Sequence, residues 1–420
     1  MGTNDTQVIK QHLIDPEICI RCNTCEAICP IKAISHDSRN YVVDASICNA
    51  CNACISPCPT GAIDNWRQVP AAQVFSLVEQ FSWDDLPAQG ELGADAVGGE
   101  GGSVAATEEP LLAASSAPIV STAVSPTAVS ATLPPWSAAH PYTNLYTASD
   151  ATVATVVGNH KLTDGPRESD THHVMLDFGA MPFPVLEGQS LGILPPGQDA
   201  SGRNHHARQY SIASPRNGER AGYNNVSLTV KRVTLDHDGQ PAIGVCSNYL
   251  CDLKVGDNVR VIGPFGSTFL MPNHPGSNIL MICTGTGSAP MRAMTEYRRR
   301  LQGKVAGGKL MLFFGARTQQ ELPYFGPLMS LPKDFIDINL AFSRTVGAPK
   351  RYVQDLLLER ASDVATLLQD GNTAVYVCGL KSMETGVVAA MKDVLSGAGV
   401  AWDTWLAGAK REGRIHFETY

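Results

Sequence analysis

Nowhere does the chain hold the run of about 18 apolar residues that could cross a bilayer, so no membrane-spanning segment is expected. The opening "MGTNDTQVIK" has no charged start followed by an apolar core. A secretory signal is therefore not expected either, and the predicted address is the cytoplasm. Clustered positive charge is also missing: 40 Asp and Glu against 32 Lys and Arg give a formal charge of −8. Phosphate-binding surfaces need a basic stripe, so nucleic acid is not an expected partner. Between Arg67 and Lys161 there is no Lys or Arg at all. Within that stretch, residues 88–139 are rich in Ala, Gly, Ser, Thr and Pro ("GADAVGGEGGSVAATEEP"), a composition that cannot bury enough apolar surface to offset its ordering entropy. A flexible linker is predicted there, and its 48 residues from 88 to about 135 give a root-mean-square span of roughly 38 Å.

Cysteine, by contrast, is concentrated. Eight of the 12 cysteines fall between Cys19 and Cys58, in "CIRCNTCEAICP" and again in "CNACISPCP", each run closing on proline and leading to an Ala-Ile pair. The same small unit is used twice. Eight thiols could pair as disulfides in 105 ways, but that chemistry needs an oxidising compartment. Zinc would use separated CxxC pairs and leave the third cysteine of each run surplus. An iron-sulfur cluster uses the whole pattern. Residues 10–66 resemble the bacterial two-cluster ferredoxins. That resemblance implies one 4Fe-4S cluster on Cys19, Cys22, Cys25 and Cys58, and a second on Cys48, Cys51, Cys54 and Cys29. After this unit (1–66), the segment 67–87 is predicted to close it with a short helix, because "PAAQVFSLVEQFSW" from Pro70 to Trp83 repeats apolar residues at Val74, Leu77, Val78 and Phe81.

The rest of the chain changes texture twice. Residues 140–272 alternate in short β-like runs ("ATVATVVGN", "VSLTVKRV"), which predicts an antiparallel barrel. Residues 273–420 repeat apolar strand, glycine turn and helix ("NILMICTGTGSAPMRAM"), which predicts a parallel sheet covered on both faces. The fold class expected is thus multidomain, α+β and α/β.

"RQYSIAS" and "GVCSNYLCDLKVGDNVRVIGPFGSTF" resemble the FAD-binding part of the ferredoxin–NADP reductase family, and later motifs follow in the family's order, so the likeness runs over about 145–420. It implies that Arg208 pairs with the FAD pyrophosphate, Tyr210 stacks on the flavin and Ser211 approaches the reactive flavin nitrogen. Gly244, Val245, Cys246 and Ser247 would offer donors to the pyrophosphate, and Lys231 would approach nucleotide phosphate. Cys251 is expected to be a small core residue. Thr284, Gly285, Thr286 and Pro290 would meet the nicotinamide nucleotide at a strand-turn-helix. Ser343 and Arg344, with Lys350, Tyr352 and Gln354 beyond, would grip a 2'-phosphate, which favours NADPH over NADH as donor. Cys378 would flank the nicotinamide, with Gly379, Leu380 and Glu384 in the same groove. Tyr420 would cover the flavin, and Glu418 would join Ser211 beside it.

A hydride donor delivers two electrons and an iron-sulfur cluster carries one, so a flavin is the converter this combination needs. The expected route is NADPH to FAD to one cluster, then the other, then an external acceptor. The arrangement resembles reductase components that serve a separate di-iron oxygenase component. Two alternatives stand beside it: a general ferredoxin–NADP oxidoreductase with its ferredoxin fused, and a docking module whose clusters are structural.

Overall fold

The computed structural model describes residues 8–16, 19, 21, 23–37, 39–55, 58, 62–63, 65–87, 141–165, 169–235, 240–272, 274–301 and 307–420. Cys22 and the linker expected over 88–139 lie outside the described residues.

The front unit is built from β1 (Val8–Leu13), α1 (Thr24–Ile28), β2 (Ile34–His36), β3 (Tyr41–Val43), β4 (Asn65–Pro70) and α2 (Leu77–Ser82). β1 pairs antiparallel with β4, and β2 with β3. Ile14, Ile34, Tyr41, Val43 and Ile63 form its small core together with Cys25, Cys54 and Cys58. The closing helix differs from the sequence expectation. β4 continues to Pro70, in register with Val8, and the helix begins only at Leu77. Ser76 caps it: its Oγ accepts the Glu79 N–H at 3.3 Å, while the Glu79 carboxylate accepts the Ser76 N–H at 2.7 Å. Val78, expected on the apolar face, is 80% exposed, and the buried residue is Gln80. The Gln80 amide donates to Val43 O at 3.0 Å and accepts from Val43 N–H at 3.1 Å, completing the open edge of β3. A backbone edge needing partners has outranked apolar spacing here.

Six antiparallel strands follow: β5 (Thr152–Lys161), β6 (Thr171–Asp177), β7 (Ser190–Leu194), β8 (Arg208–Ser211), β9 (Asn225–Lys231) and β10 (Asn258–Phe265). Their order is β8-β7-β10-β5-β6-β9, with α3 (Val245–Asp252) between β9 and β10 in the chain. β5 buries alternate residues, as its sequence period of two requires. The sheet's two edge strands meet through a bridge between Ile212 and Leu228, reinforced by Ala213 N–H to Ser227 O at 2.8 Å. Leu191, Ile193, Val226, Leu228 and Val261 fill the interior, and Cys251 is buried among them.

The last region alternates β11 (Asn278–Thr284), α4 (Ser288–Leu301), β12 (Leu310–Ala316), α5 (Phe325–Met329), β13 (Asp337–Phe342), α6 (Val353–Glu359), α7 (Ala361–Gln369), β14 (Thr373–Gly379), α8 (Lys381–Gly397), α9 (Trp402–Arg411) and β15 (Ile415–Thr419). All five strands are parallel, in the order β13-β12-β11-β14-β15. One face is covered by α6–α9 and the other packs Met291 and Met294 of α4 with Phe269. Strands covered on both sides read as continuous apolar runs, and β14 is buried along its whole length. Among the described residues no helix is long and apolar enough to cross a membrane.

Candidate functional site

Both cysteine runs turn in the same way at two matching places. Arg21 and Ala50, each two residues past the first cysteine of its run, have φ of 57°; Asn23 and Asn52, four past it, have φ of 60°. Such left-handed residues are uncommon outside glycine, and their recurrence at matching places curls each run in the same way. Cys25, Cys54 and Cys58 are buried, Cys19, Cys29 and Cys48 half-buried, and Cys51 exposed. Burial pushes the Cys54 thiol up to about 11, and Cys48, Cys29 and Cys51 stand near enough to push the same way. Cys29 of the first run therefore keeps company with three cysteines of the second. Ala33 N–H donates to Cys29 Sγ at 3.3 Å. His12, not singled out by the sequence, brings Nδ1 to 3.9 Å from Cys48 Sγ and stacks on Trp66 at 4.0 Å between ring centres. No disulfide joins any of the eleven described cysteines. Among the described residues no three His, Cys, Asp or Glu side chains are grouped to hold a single metal ion.

A second centre lies where the antiparallel sheet meets the parallel one. A cavity of about 810 Å³ is lined by Arg208, Tyr210 and Ser211 of β8, Gly244–Ser247 at the start of α3, and Glu418, Thr419 and Tyr420 at the chain's end. No side chain caps the N-terminus of α3, which leaves the positive end of its backbone dipoles for another partner. Ser247 Oγ accepts the Val233 N–H at 3.2 Å, which seats the turn before α3. Burial and the neighbouring Cys246 thiol keep the Tyr210 phenol un-ionised. Ser211 and Glu418 are 207 residues apart in sequence, yet Ser211 Oγ donates to Glu418 Oε2 at 3.3 Å. Burial pushes the Glu418 carboxyl above the ordinary range, against the pull of that hydrogen bond. Tyr420 OH shares a short hydrogen bond with Thr286 Oγ1, and its backbone is tied to Gly379 O and Lys381 N–H, each at 3.0 Å.

The remaining residues gather at the C-terminal ends of the parallel strands, where open α/β sheets form their crevices. Thr284, Gly285 and Thr286 leave β11 through a single 3₁₀ turn into α4, and Pro290 is buried in that helix's first turns. Cys283 pairs with Cys378 across β11 and β14, bringing the two turns together. The approach is close: a β-carbon on Gly287 would lie 2.2 Å from Cys378 O, and one on Gly379, with φ of 142°, 2.4 Å from Thr284 Oγ1. Cys378 is buried, and that burial pushes its thiol well above the usual range. Leu380 is exposed, and its N–H reaches Thr284 Oγ1 at 3.4 Å. Glu384 accepts from Lys381 Nζ at 2.7 Å and from Thr419 Oγ1, fastening β15 to α8.

Ser343 and Arg344 follow β13, their N–H groups donating to Ala316 O at 3.1 Å and Arg317 O at 2.7 Å. Lys350 and Tyr352 are exposed beside them, and Gln354 packs from α6 toward Gly386 of α8. Lys231 is not brought to the cavity; it stands near Arg317 and Glu321, and burial with Arg317 beside it lowers its ammonium.

A buried polar network went unread in the sequence. Arg292 of α4 donates two 2.7 Å bonds to the Glu219 carboxylate, Tyr324 OH bonds His173 Nδ1 at 2.8 Å and Thr229 Oγ1 at 2.7 Å, and the Arg292 guanidinium lies over the Tyr324 ring at 5.0 Å. It joins the antiparallel sheet to the parallel one, directly behind the Thr229 wall of the cavity.

Known proteins match these regions separately. Residues 18–62 match the 4Fe-4S dicluster domain family, and residues 281–389 the oxidoreductase NAD-binding domain family. The cyanelle ferredoxin–NADP reductase of Cyanophora paradoxa is 38% identical over 289 residues, covering 66% of this chain and 78% of that protein. The ferredoxin–NADP reductase of Thermosynechococcus vestitus is 36% identical over 288 residues, with 66% and 75% covered. Among solved structures, ferredoxin–NADP+ reductase from Plasmodium falciparum aligns with a TM-score of 0.52 at 25% identity, over 66% of this chain and 99% of that one. The antiparallel and parallel sheets with their shared cavity are thus a reductase module preceded by a cysteine-rich unit, and the chain belongs to the ferredoxin–NADP reductase family, as an oxidoreductase of that type with a 4Fe-4S ferredoxin-type unit fused in front.

Proposed function

We propose that this chain is the reductase component of a benzoyl-CoA 2,3-epoxidase, also called benzoyl-CoA oxygenase. It draws electrons from NADPH and passes them through FAD and two 4Fe-4S clusters. They go to a separate di-iron oxygenase component that epoxidises benzoyl-CoA in the aerobic breakdown of aromatic acids. The observation that carries the relay is the doubled cysteine run with matching left-handed residues, on the same polypeptide as a family reductase module. The oxygenase acceptor rests on the order of parts: ferredoxin-type unit at 1–66, closing segment 67–87, linker 88–139, an FAD-binding β-barrel at 140–272, and an NADP-binding region at 273–420.

The residues suit these groups. Soft thiolates in two sets, one led by Cys19 (with Cys22, Cys25 and Cys58) and one led by Cys48 (with Cys51, Cys54 and Cys29), fit iron-sulfur clusters. The 810 Å³ cavity offers a guanidinium at Arg208, an aromatic face at Tyr210 and an uncapped helix start at Gly244–Ser247, a donor set suited to a flavin dinucleotide. Bound FAD supplies the conversion between a hydride and single electrons. Arg208 would hold the pyrophosphate, and Tyr210 would fix the ring by stacking. Ser211 Oγ and the Glu418 carboxyl, 3.3 Å apart, hold a proton beside the flavin, and burial of Glu418 favours its keeping that proton. Tyr420 excludes water until the nicotinamide takes its place. Thr284, Gly285, Thr286 and Pro290 receive the nucleotide, Arg344 with Ser343, Lys350 and Tyr352 binds the 2'-phosphate, and Cys378, Gly379, Leu380 and Glu384 line the nicotinamide end.

Reconstitution tests the reading. Full-length chain, NADPH, dioxygen, benzoyl-CoA and the oxygenase component should form epoxidised product, and none should form without this chain. NADPH oxidation with reduction of a small external ferredoxin, but no product with the oxygenase, would favour a general oxidoreductase with a fused ferredoxin. The likeness to stand-alone ferredoxin–NADP reductases supports that second reading.

A further inference from the structure

This inference rests on the two-cluster reading above and assigns each cluster its place in the relay. The two cysteine runs place left-handed residues at matching positions, so the surroundings of those positions can be compared directly. Arg21, between Cys19 and Cys22, is half-buried, and its Cδ lies 3.1 Å from where a β-carbon on Gly326 of α5 would stand. Its counterpart Ala50, between Cys48 and Cys51, is exposed, and so is Cys51 itself. Gly326 is two residues beyond Tyr324, whose hydroxyl bonds Thr229 Oγ1 at 2.7 Å, and Thr229 lines the 810 Å³ cavity. The Cys19-led run therefore reaches the cavity wall through Arg21, Gly326, Tyr324 and Thr229, while the matching stretch of the Cys48-led run, Ala50 and Cys51, is exposed.

Electron tunnelling weakens steeply with separation, so the run packed against the reductase module is the one that exchanges electrons with it. We infer that the relay has a fixed polarity: the Cys19-led set holds the cluster that receives electrons from the flavin site, and the Cys48-led set holds the cluster that hands them to the external protein acceptor. One hydride from NADPH carries two electrons. Two successive one-electron transfers would pass through the Cys19-led set to the Cys48-led set, the external acceptor taking the first electron before the second arrives, and the proton would leave to solvent.

The test uses full-length protein carrying its flavin and clusters, mixed anaerobically with NADPH and freeze-quenched for EPR. Two variants, C25A and C51A, each disable one set, and dithionite first establishes that the remaining cluster is reducible. In C51A, NADPH is expected to raise the signal to the level dithionite gives; in C25A the signal should stay at least tenfold lower. The reverse pattern, or equal signals, overturns the polarity. Absence of any NADPH-driven cluster signal in the unaltered protein overturns the relay reading itself. Should a cysteine variant lose both clusters, a measurement independent of electron flow decides: Arg21→Glu should increase deuterium uptake across residues 325–330 of the full chain, and unchanged uptake overturns the seating of the Cys19-led run there.

Discussion

Glu418 shows how burial sets a side chain's chemistry. Its folded carboxyl titrates above the unfolded value of 4.5, burial being the main cause. The stability this group contributes is fully present below about pH 4.5 and is lost as pH rises through the raised folded value, because the buried site then holds an unwelcome charge. Glu418→Gln removes that dependence. Thermal unfolding of the flavin-loaded protein across pH 4.5–8 should show the variant gaining on the parent as pH rises; a constant difference would contradict the assignment. Arg344 gives a second check at this scale. Its exposed guanidinium sits on backbone fixed by the 2.7 Å bond to Arg317 O. Arg344→Ala should raise KM for NADPH at least about tenfold, a loss of ~1.4 kcal/mol, and leave KM for NADH unchanged in steady-state assays. Residues such as the cysteines were legible because their chemistry depends on local spacing. Ser211 and Glu418 were paired in the sequence reading through family likeness alone, since nothing local announces a contact across 207 residues. His12 beside Cys48 was illegible for the same reason: a lone histidine on a strand carries no signal until β1 is paired with β4.

Among elements, the junction of the two sheets holds a buried polar network beside its apolar contacts. Burial pushes His173 down to about 3, and its neutral ring accepts or donates a 2.8 Å bond with Tyr324 OH. Although burial alone would raise Glu219, Arg292 and its neighbours hold it down at about 2. Both folded values lie below the unfolded ones, so each group's contribution is present above its unfolded pKa and lost on acidification. For His173 the window runs from 6.5 down to about 3, and for Glu219 from 4.5 down to about 2. Tyr324→Phe leaves the His173 and Thr229 partners unmet and should cost about 1–3 kcal/mol. Arg292→Met strands the Glu219 carboxylate and should cost about 3–5 kcal/mol. Denaturant unfolding at pH 7 checks both, and a variant as stable as the parent would show that the network does not join the sheets. Strands β5, β11 and β14 could be read from their period or their unbroken apolar runs. The helix itself was legible, but the face that α2 buries was not, because its buried contact is made by Gln80, and apolar spacing says nothing about an amide that completes a strand edge.

For the molecule as a whole, the proposed relay follows the order of its parts in three dimensions rather than along the chain. The module that receives a hydride and the unit that carries single electrons occupy one chain. Arg21 against Gly326 brings the first cysteine run to the wall behind the cavity. The division into a cysteine-rich front and a strand-then-helix back was legible from composition and period, and the parallel sheet with both faces covered followed from unbroken apolar strands. The contact between the two parts was not legible, because it depends on surfaces that exist only once both have folded. The most direct test is an anaerobic NADPH titration of the full-length protein, following flavin absorbance and cluster EPR in the same samples. The flavin bands should bleach first, and reduced-cluster signals should then grow with further NADPH. Bleached flavin with clusters that stay oxidised, yet respond to dithionite, would contradict the relay.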